Sequence, residues 1–227
     1  MSHRTLSLAP TIVAVAFAMT PIGGGLAASP AHGTAVATPP AAAAVTGPLA
    51  YTTSLNPVVT IRNATPAQTR RLATALDRFR VTGLALPDLQ VVFSADPAAC
   101  RGHFGLFDPK PEPWRISICS DLDAVYEHEL AHAWAAATLE AERRDDFMEL
   151  RGYEVWSDND VAWNKRGVEG AALIIQQGLG GLPLPPALSD ETLSRLAAFQ
   201  LLTGLPDPRL TQWEIDHRSA IRGDTGA

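Results

Sequence analysis

His128, Glu129 and His132 occur in the order His-Glu-Leu-Ala-His. On a helix, residues four apart stand one above the other on the same face, so both imidazoles could reach a single cation. Zinc accepts nitrogen ligands at about 2.0–2.1 Å, and a catalytic zinc has three protein ligands and a water. Glu129 follows the first histidine and would set its carboxylate beside that water. A bound metal lowers the water's pKa from 15.7 to about 7, which would let Glu129 take its proton at neutral pH. The competing reading is a pair of core histidines satisfied by hydrogen bonds.

The flanking residues fit a buried helix. Ser120 with Asp123 resembles a capping box, with Asp where Glu or Gln is preferred. Asp121 and Asp123 place negative charge at the positive end of the helix dipole. Val125, Leu130, Trp134 and the alanines from Ala131 to Ala137 make the helix apolar on most faces. Two histidines do not complete a catalytic zinc site. Ala135 and Thr138 stand where the metzincin pattern needs glycine and a third histidine, which excludes that pattern. The remaining ligand candidates are downstream carboxylates. Glu169 leads them, because it sits in the first turn of an otherwise apolar helix, where an unpaired carboxylate would be costly to bury. Asp158 and Asp160 are the alternatives.

The elements that must position these residues read as follows. Residues 1–28 carry a short basic start, an apolar run and small residues, the pattern of a secretory signal peptide. Residues 29–50 are rich in Ala and Pro and nearly uncharged, a linker or pro-segment. The folded domain is expected over 51–217, with a loosely held polar tail after Pro206 and a flexible end at 218–227. Residues 56–61 suggest a strand. Thr65 and Pro66 then open a helix as N-cap and first helical residue, and Gly83 closes that region. Leu89–Phe93, Gly102–Phe107 and Trp114–Cys119 read as strands, the last two as a hairpin around a Pro-rich turn. Helices are expected over 140–150, ended by Gly152, over 165–176, ending at Gly178, and from a Ser189 cap to about Leu202. The two cysteines, Cys100 and Cys119, would pair as a disulfide in an oxidising compartment, tying the hairpin at its base.

A net charge of −6 and the lack of a basic cluster interleaved with aromatics argue against a nucleic-acid partner. Outside the leader, no stretch is long and apolar enough to span a bilayer. His103, on the hairpin, is a possible substrate contact or a plain structural histidine.

His128-Glu129-x-x-His132 followed by a Glu on a second helix resembles the gluzincin branch of zinc metallopeptidases. Cys119, the run His128 to Trp134, and Trp163-x-x-Arg166-Gly167-x-Glu169-x-Ala171-Ala172 are similar to small exported metallopeptidases of actinobacteria. The resemblance covers roughly Cys100 to Gly178, and the Asn-Glu-x-x-Ser-Asp form familiar around the second-helix Glu is absent. It implies an α+β, zincin-like fold with a small antiparallel sheet over the metal helix and a helical C-terminal half. An edge strand would bind an extended peptide, and Trp114–Cys119 or its neighbour is the candidate. The implied activity is that of a secreted or cell-envelope zinc peptidase acting on peptide or protein. His128, His132 and Glu169 would hold Zn2+ and Glu129 would act as general base. Tyr153, Arg166 and His217 are candidates to stabilise the oxyanion. The rival reading is a non-catalytic zincin-like binding module of the cell envelope, and a weaker third is a hydrolase of non-peptide amides.

Overall fold

Strands β1 (Thr53–Ser54) and β2 (Val59–Arg62) lead into helix α1 (Pro66–Thr82). The start of α1 is built as its residues dictate. Thr65 Oγ1 accepts from the Gln68 amide, Gln68 Oε1 accepts from the Thr65 amide, and Pro66 fills the first turn. The helix stops at Gly83, whose φ of 84° lies in the left-handed region that glycine enters without cost. It buries Leu72, Ala75 and Phe79. The computed structural model describes residues 53–180, 183–185 and 187–221, the side chains of 216–221 excepted. The leader and the Ala/Pro segment therefore lie outside the described residues.

Next come β3 (Leu86–Pro87), β4 (Leu89–Phe93), β5 (Gly105–Asp108) and β6 (Trp114–Ile118). The main sheet has the order β2-β4-β6-β5, while β1 pairs with β3 apart from it. Alternation buries Leu89, Val91 and Phe93 of β4 and Trp114, Ile116 and Ile118 of β6. The expectation of an antiparallel sheet is corrected here. β2, β4 and β6 run parallel, and only β5 is antiparallel to its neighbour. Helix α1 supplies the crossover that a parallel β2–β4 pair requires, whereas the five residues between β5 and β6 suffice for an antiparallel hairpin. Strand β6 is internal, so it has no free edge to offer. Its neighbour β5 is the edge strand.

The rest is helical: α2 (Asp123–Thr138), α3 (Ala141–Arg151), α4 (Gly167–Gly180), α5 (Asp190–Thr203) and α6 (Pro208–Ile221). Two details differ from the sequence expectation. Leu122 is the N-cap of α2 and offers no side-chain cap, because Ser120 Oγ is spent on the Leu122 amide in a turn before the helix. The polar stretch after Pro206 is helix α6 and not a loose tail. Asp207, almost fully buried, accepts from the Arg209 amide and guanidinium and fixes the start of that helix.

Helix α2 lies between the sheet and α4. Ala131, Ala133 and Ala135 on α2 and Gly170, Ala171 and Ala172 on α4 are all buried. Small residues on both helices let the two backbones approach closely, which brings the first turn of α4 against the middle of α2. Phe79, Tyr126, Leu130, Phe147, Ile175 and Phe199 fill the surrounding core. Burial of a Phe or Leu of this kind is worth about 1.5–3 kcal/mol.

Candidate metal centre

The helical period of α2 sets His128 and His132 side by side, and α4 delivers Glu169 to them. His128 Nε2 and His132 Nε2 are 3.1 Å apart, and Glu169 Oε2 lies 3.2 Å from the first and 3.1 Å from the second. The three side chains are largely buried, at 14%, 11% and 14% exposure. Ligands held at about 2.0–2.1 Å around a tetrahedral ion stand about 3.3 Å apart, close to the spacing found here. The donor set also fits a cation. Two imidazole nitrogens and one carboxylate oxygen converge on a common point, and a single shared proton cannot satisfy all three pairs at once. Among the described residues, this is the group of histidine and carboxylate side chains that could hold a metal ion.

Neighbouring rings fix the two imidazoles. Phe107 on β5 lies parallel to His132, with centroids 6.5 Å apart and planes inclined by 5°. Trp163, in the 3-10 turn Trp163–Lys165 before α4, lies over His128 at 5.9 Å and 30°. The first turn of α4 is anchored by the preceding loop, since the Gly167 and Val168 amides donate to the Val155 and Trp156 carbonyls. A side chain at Gly167 would press on Trp156 and Met148, at 3.0 and 3.1 Å from its Cβ. The absence of a side chain at Gly167 thus lets Trp156 and Met148 pack against the start of α4.

Glu129 is 5% exposed and lies beneath β5. A Cβ at Gly105 would stand 2.4 Å from Glu129 Oε1, so the strand passes over this carboxylate only because residue 105 has no side chain. Burial pushes the Glu129 carboxyl above the usual range. The charges of His132 and His128 pull it back in part, and Glu169 adds to the rise. For Glu169, burial also acts upward. Hydrogen bonds from His128 and His132 and their charges outweigh it, and the carboxyl falls to about 2. Burial lowers His132, yet the Glu169 hydrogen bond and the charges of Glu129 and Glu169 leave it raised. Two carboxylates a short distance apart are thus driven in opposite directions: Glu169 is held as an anion, and Glu129 is made a better proton acceptor.

The other sequence candidates fall elsewhere. Asp158 and Asp160 are exposed, and Asp158 Oδ1 accepts from the Asp160 amide, so neither joins the cluster. Tyr153 stacks on Phe147, and its hydroxyl lies where a Gly170 Cβ would be. Arg166 spends its guanidinium on the Val161 and Asn159 carbonyls, at 2.8 and 3.2 Å. The side chain of His217 lies outside the described residues. Cys100 and Cys119 form the disulfide at the base of the β5–β6 hairpin. His103 is exposed on the turn before β5.

Sequence reasoning missed Gly105 and Phe107, and it named Trp163 only within a motif, without its place over His128. Spacing two apart on a strand was the available signal for the first two, but nothing in the chain says which face of β5 meets α2. It also missed the ion pair of buried Glu127 with half-exposed Arg78, packed against Gly180 at the end of α4. No helix of the described residues is long and apolar enough to cross a membrane. Family models, curated proteins and solved structures return no match to this chain.

Proposed function

We propose that this chain is a zinc-dependent peptidase that works outside the cytoplasm, with a zincin-like arrangement of strand over metal helix. The observation that carries the reading is the convergence of His128 Nε2, His132 Nε2 and Glu169 Oε2 within 3.1–3.2 Å, beside a buried Glu129. His128, His132 and Glu169 would hold the ion, a His₂Glu set used by catalytic zinc. Zinc supplies Lewis acidity there, polarising a carbonyl and easing deprotonation of water. Glu129 accepts a proton from the attacking water as the carbon–oxygen bond forms. It hands that proton to the amine nitrogen as the carbon–nitrogen bond breaks. Its raised pKa suits both halves of this exchange. An extended peptide would lie along the outer edge of β5, adding a strand to the sheet. The leader-like N-terminus and the Cys100–Cys119 disulfide support export.

The test is the zinc content and peptide hydrolysis of the mature chain, measured for wild type, Glu169→Ala and Glu129→Gln. One zinc per chain in the wild type, its loss in Glu169→Ala, and zinc kept with hydrolysis lost in Glu129→Gln are the expected results. Hydrolysis retained by Glu129→Gln would sink the general-base assignment. A wild type that takes up no zinc on reconstitution would leave a metal-free binding module as the better reading.

A further inference from the structure

The direction of β5 over α2 gives the site two distinguishable ends, and this inference rests on the peptidase reading above. Alternate residues of β5 meet α2: Phe107 stacks on His132, and Gly105 sits over Glu129. Following the strand backwards therefore runs from His132 to Glu129 and then past it. Position 103 comes next, in the turn Arg101–Phe104. Glu129 delivers its proton to the leaving amine, so the leaving half of the substrate lies over Glu129 and continues toward this turn.

The turn is held in place. The Arg101, Gly102 and His103 amides donate to the Ala98, Pro97 and Cys100 carbonyls, at 3.1, 2.9 and 2.9 Å. The Cys119 amide donates to the Phe104 carbonyl at 2.8 Å, extending the pairing with β6 beyond the start of β5. Arg101 and Gly102 take left-handed φ values of 53° and 82°, which turn the chain back toward the strand. The disulfide joins Cys100, at the start of the turn, to Cys119, opposite its end.

Its side chains are basic and available. Arg101 and His103 are both exposed, and among the described residues the Arg101 guanidinium forms no ion pair. The nearby Asp96 is engaged as a cap, accepting from the Ala98 amide at 2.9 Å.

We propose that Arg101 and His103 form a subsite for a carboxylate on the residue that follows the scissile bond. That carboxylate is an Asp or Glu side chain, or the free α-carboxylate of a chain end. An arginine on a fixed turn suits this recognition, since its planar fork matches the two carboxylate oxygens.

The experiment uses the zinc-loaded mature chain and a peptide series with one scissile bond. The residue after that bond is Glu, Gln or Lys with an amidated end, or Gln with a free α-carboxylate. The wild type is expected to cleave the Glu peptide about tenfold or more faster, by kcat/KM, than the Lys peptide, as for a charge-assisted hydrogen bond. Preference for the Glu side chain identifies an internal acidic residue as the ligand. Preference for the free end over its amide identifies a chain terminus. In the double variant Arg101→Ala, His103→Gln, the ratio is expected to fall to within about threefold. Added salt should erode the wild-type preference without any mutation. Cleavage with no charge preference in the wild type, or a preference that survives the double variant, overturns this subsite and leaves the peptidase reading intact. No cleavage of any peptide by zinc-loaded wild type overturns both.

Discussion

Replacing Gly105 by alanine adds one methyl group at the most crowded point above Glu129. The new Cβ would sit 2.4 Å from Oε1, 2.6 Å from Cγ and 2.7 Å from Cδ of Glu129, where ordinary contact begins near 3.4 Å. The conflict is therefore about 1 Å deep and involves three atoms of one side chain. Glu129 is buried beside the two imidazoles of the candidate metal centre, so the carboxylate has little room to retreat. Either β5 lifts off α2 or the carboxylate turns away. Overpacking of this kind costs about 1–3 kcal/mol. At about 2–4 °C per kcal/mol for a domain of this size, the melting temperature should fall by about 2–12 °C. A misplacement of about 1 Å in a catalytic group can cost about 100-fold in rate. The expected variant is folded, melts lower, keeps its zinc and hydrolyses peptide about 100-fold more slowly. The assays are calorimetry, metal analysis and single-turnover hydrolysis. An unchanged melting temperature together with unchanged hydrolysis would refute the claim that glycine is needed here for the strand to close over Glu129.

Other outcomes follow from the same contacts. Arg78→Met removes the partner of the buried Glu127, and the unpaired carboxylate should lower stability by about 1–3 kcal/mol in denaturant unfolding; an unchanged midpoint would show that water already serves Glu127. Replacing both Cys100 and Cys119 by serine should cost about 2–4 kcal/mol. It should also slow hydrolysis more than it weakens zinc binding, because the hairpin it frees carries β5 and no ligand; equal losses of both would contradict this. The raised pKa of His132 gives a signed pH effect. In the metal-free protein, protonated His132 contributes stability that is present below its ordinary value of 6.5 and is lost as pH rises through the raised value. Zinc needs the neutral ring, so binding must release this proton, and apparent zinc affinity should climb as pH rises through that range. Competition titrations between about pH 5.5 and pH 8.5 would read this, and a flat profile would contradict it.

Much of the local structure follows from the chain alone, because its causes lie within a few residues. The cap at Thr65 and Gln68, the stop at Gly83 and the alternation of β4 and β6 depend on backbone hydrogen bonding and side-chain period. The pairing of His128 with His132 is of this kind, since the helical repeat alone puts both rings on one face. The pairing of Cys100 with Cys119 follows from there being no other cysteine. The leader-like residues lie outside the described part of the chain.

Tertiary structure decided the rest. Glu169 is 37 residues from His132, and it reaches the histidines because small residues let α4 settle against α2. Asp158 and Asp160 also carry carboxylates and lie closer in sequence, but their loop leaves them in solvent. Strand direction was equally hidden: alternation reports which side chains face inward and carries no sign of parallel or antiparallel pairing. The roles of Gly105 and Phe107 depend on which strand becomes the edge and which of its faces meets α2. The type and spacing of residues thus determine a possible chemistry locally, while burial between distant segments selects the carboxylate that joins the histidines and the strand that covers Glu129.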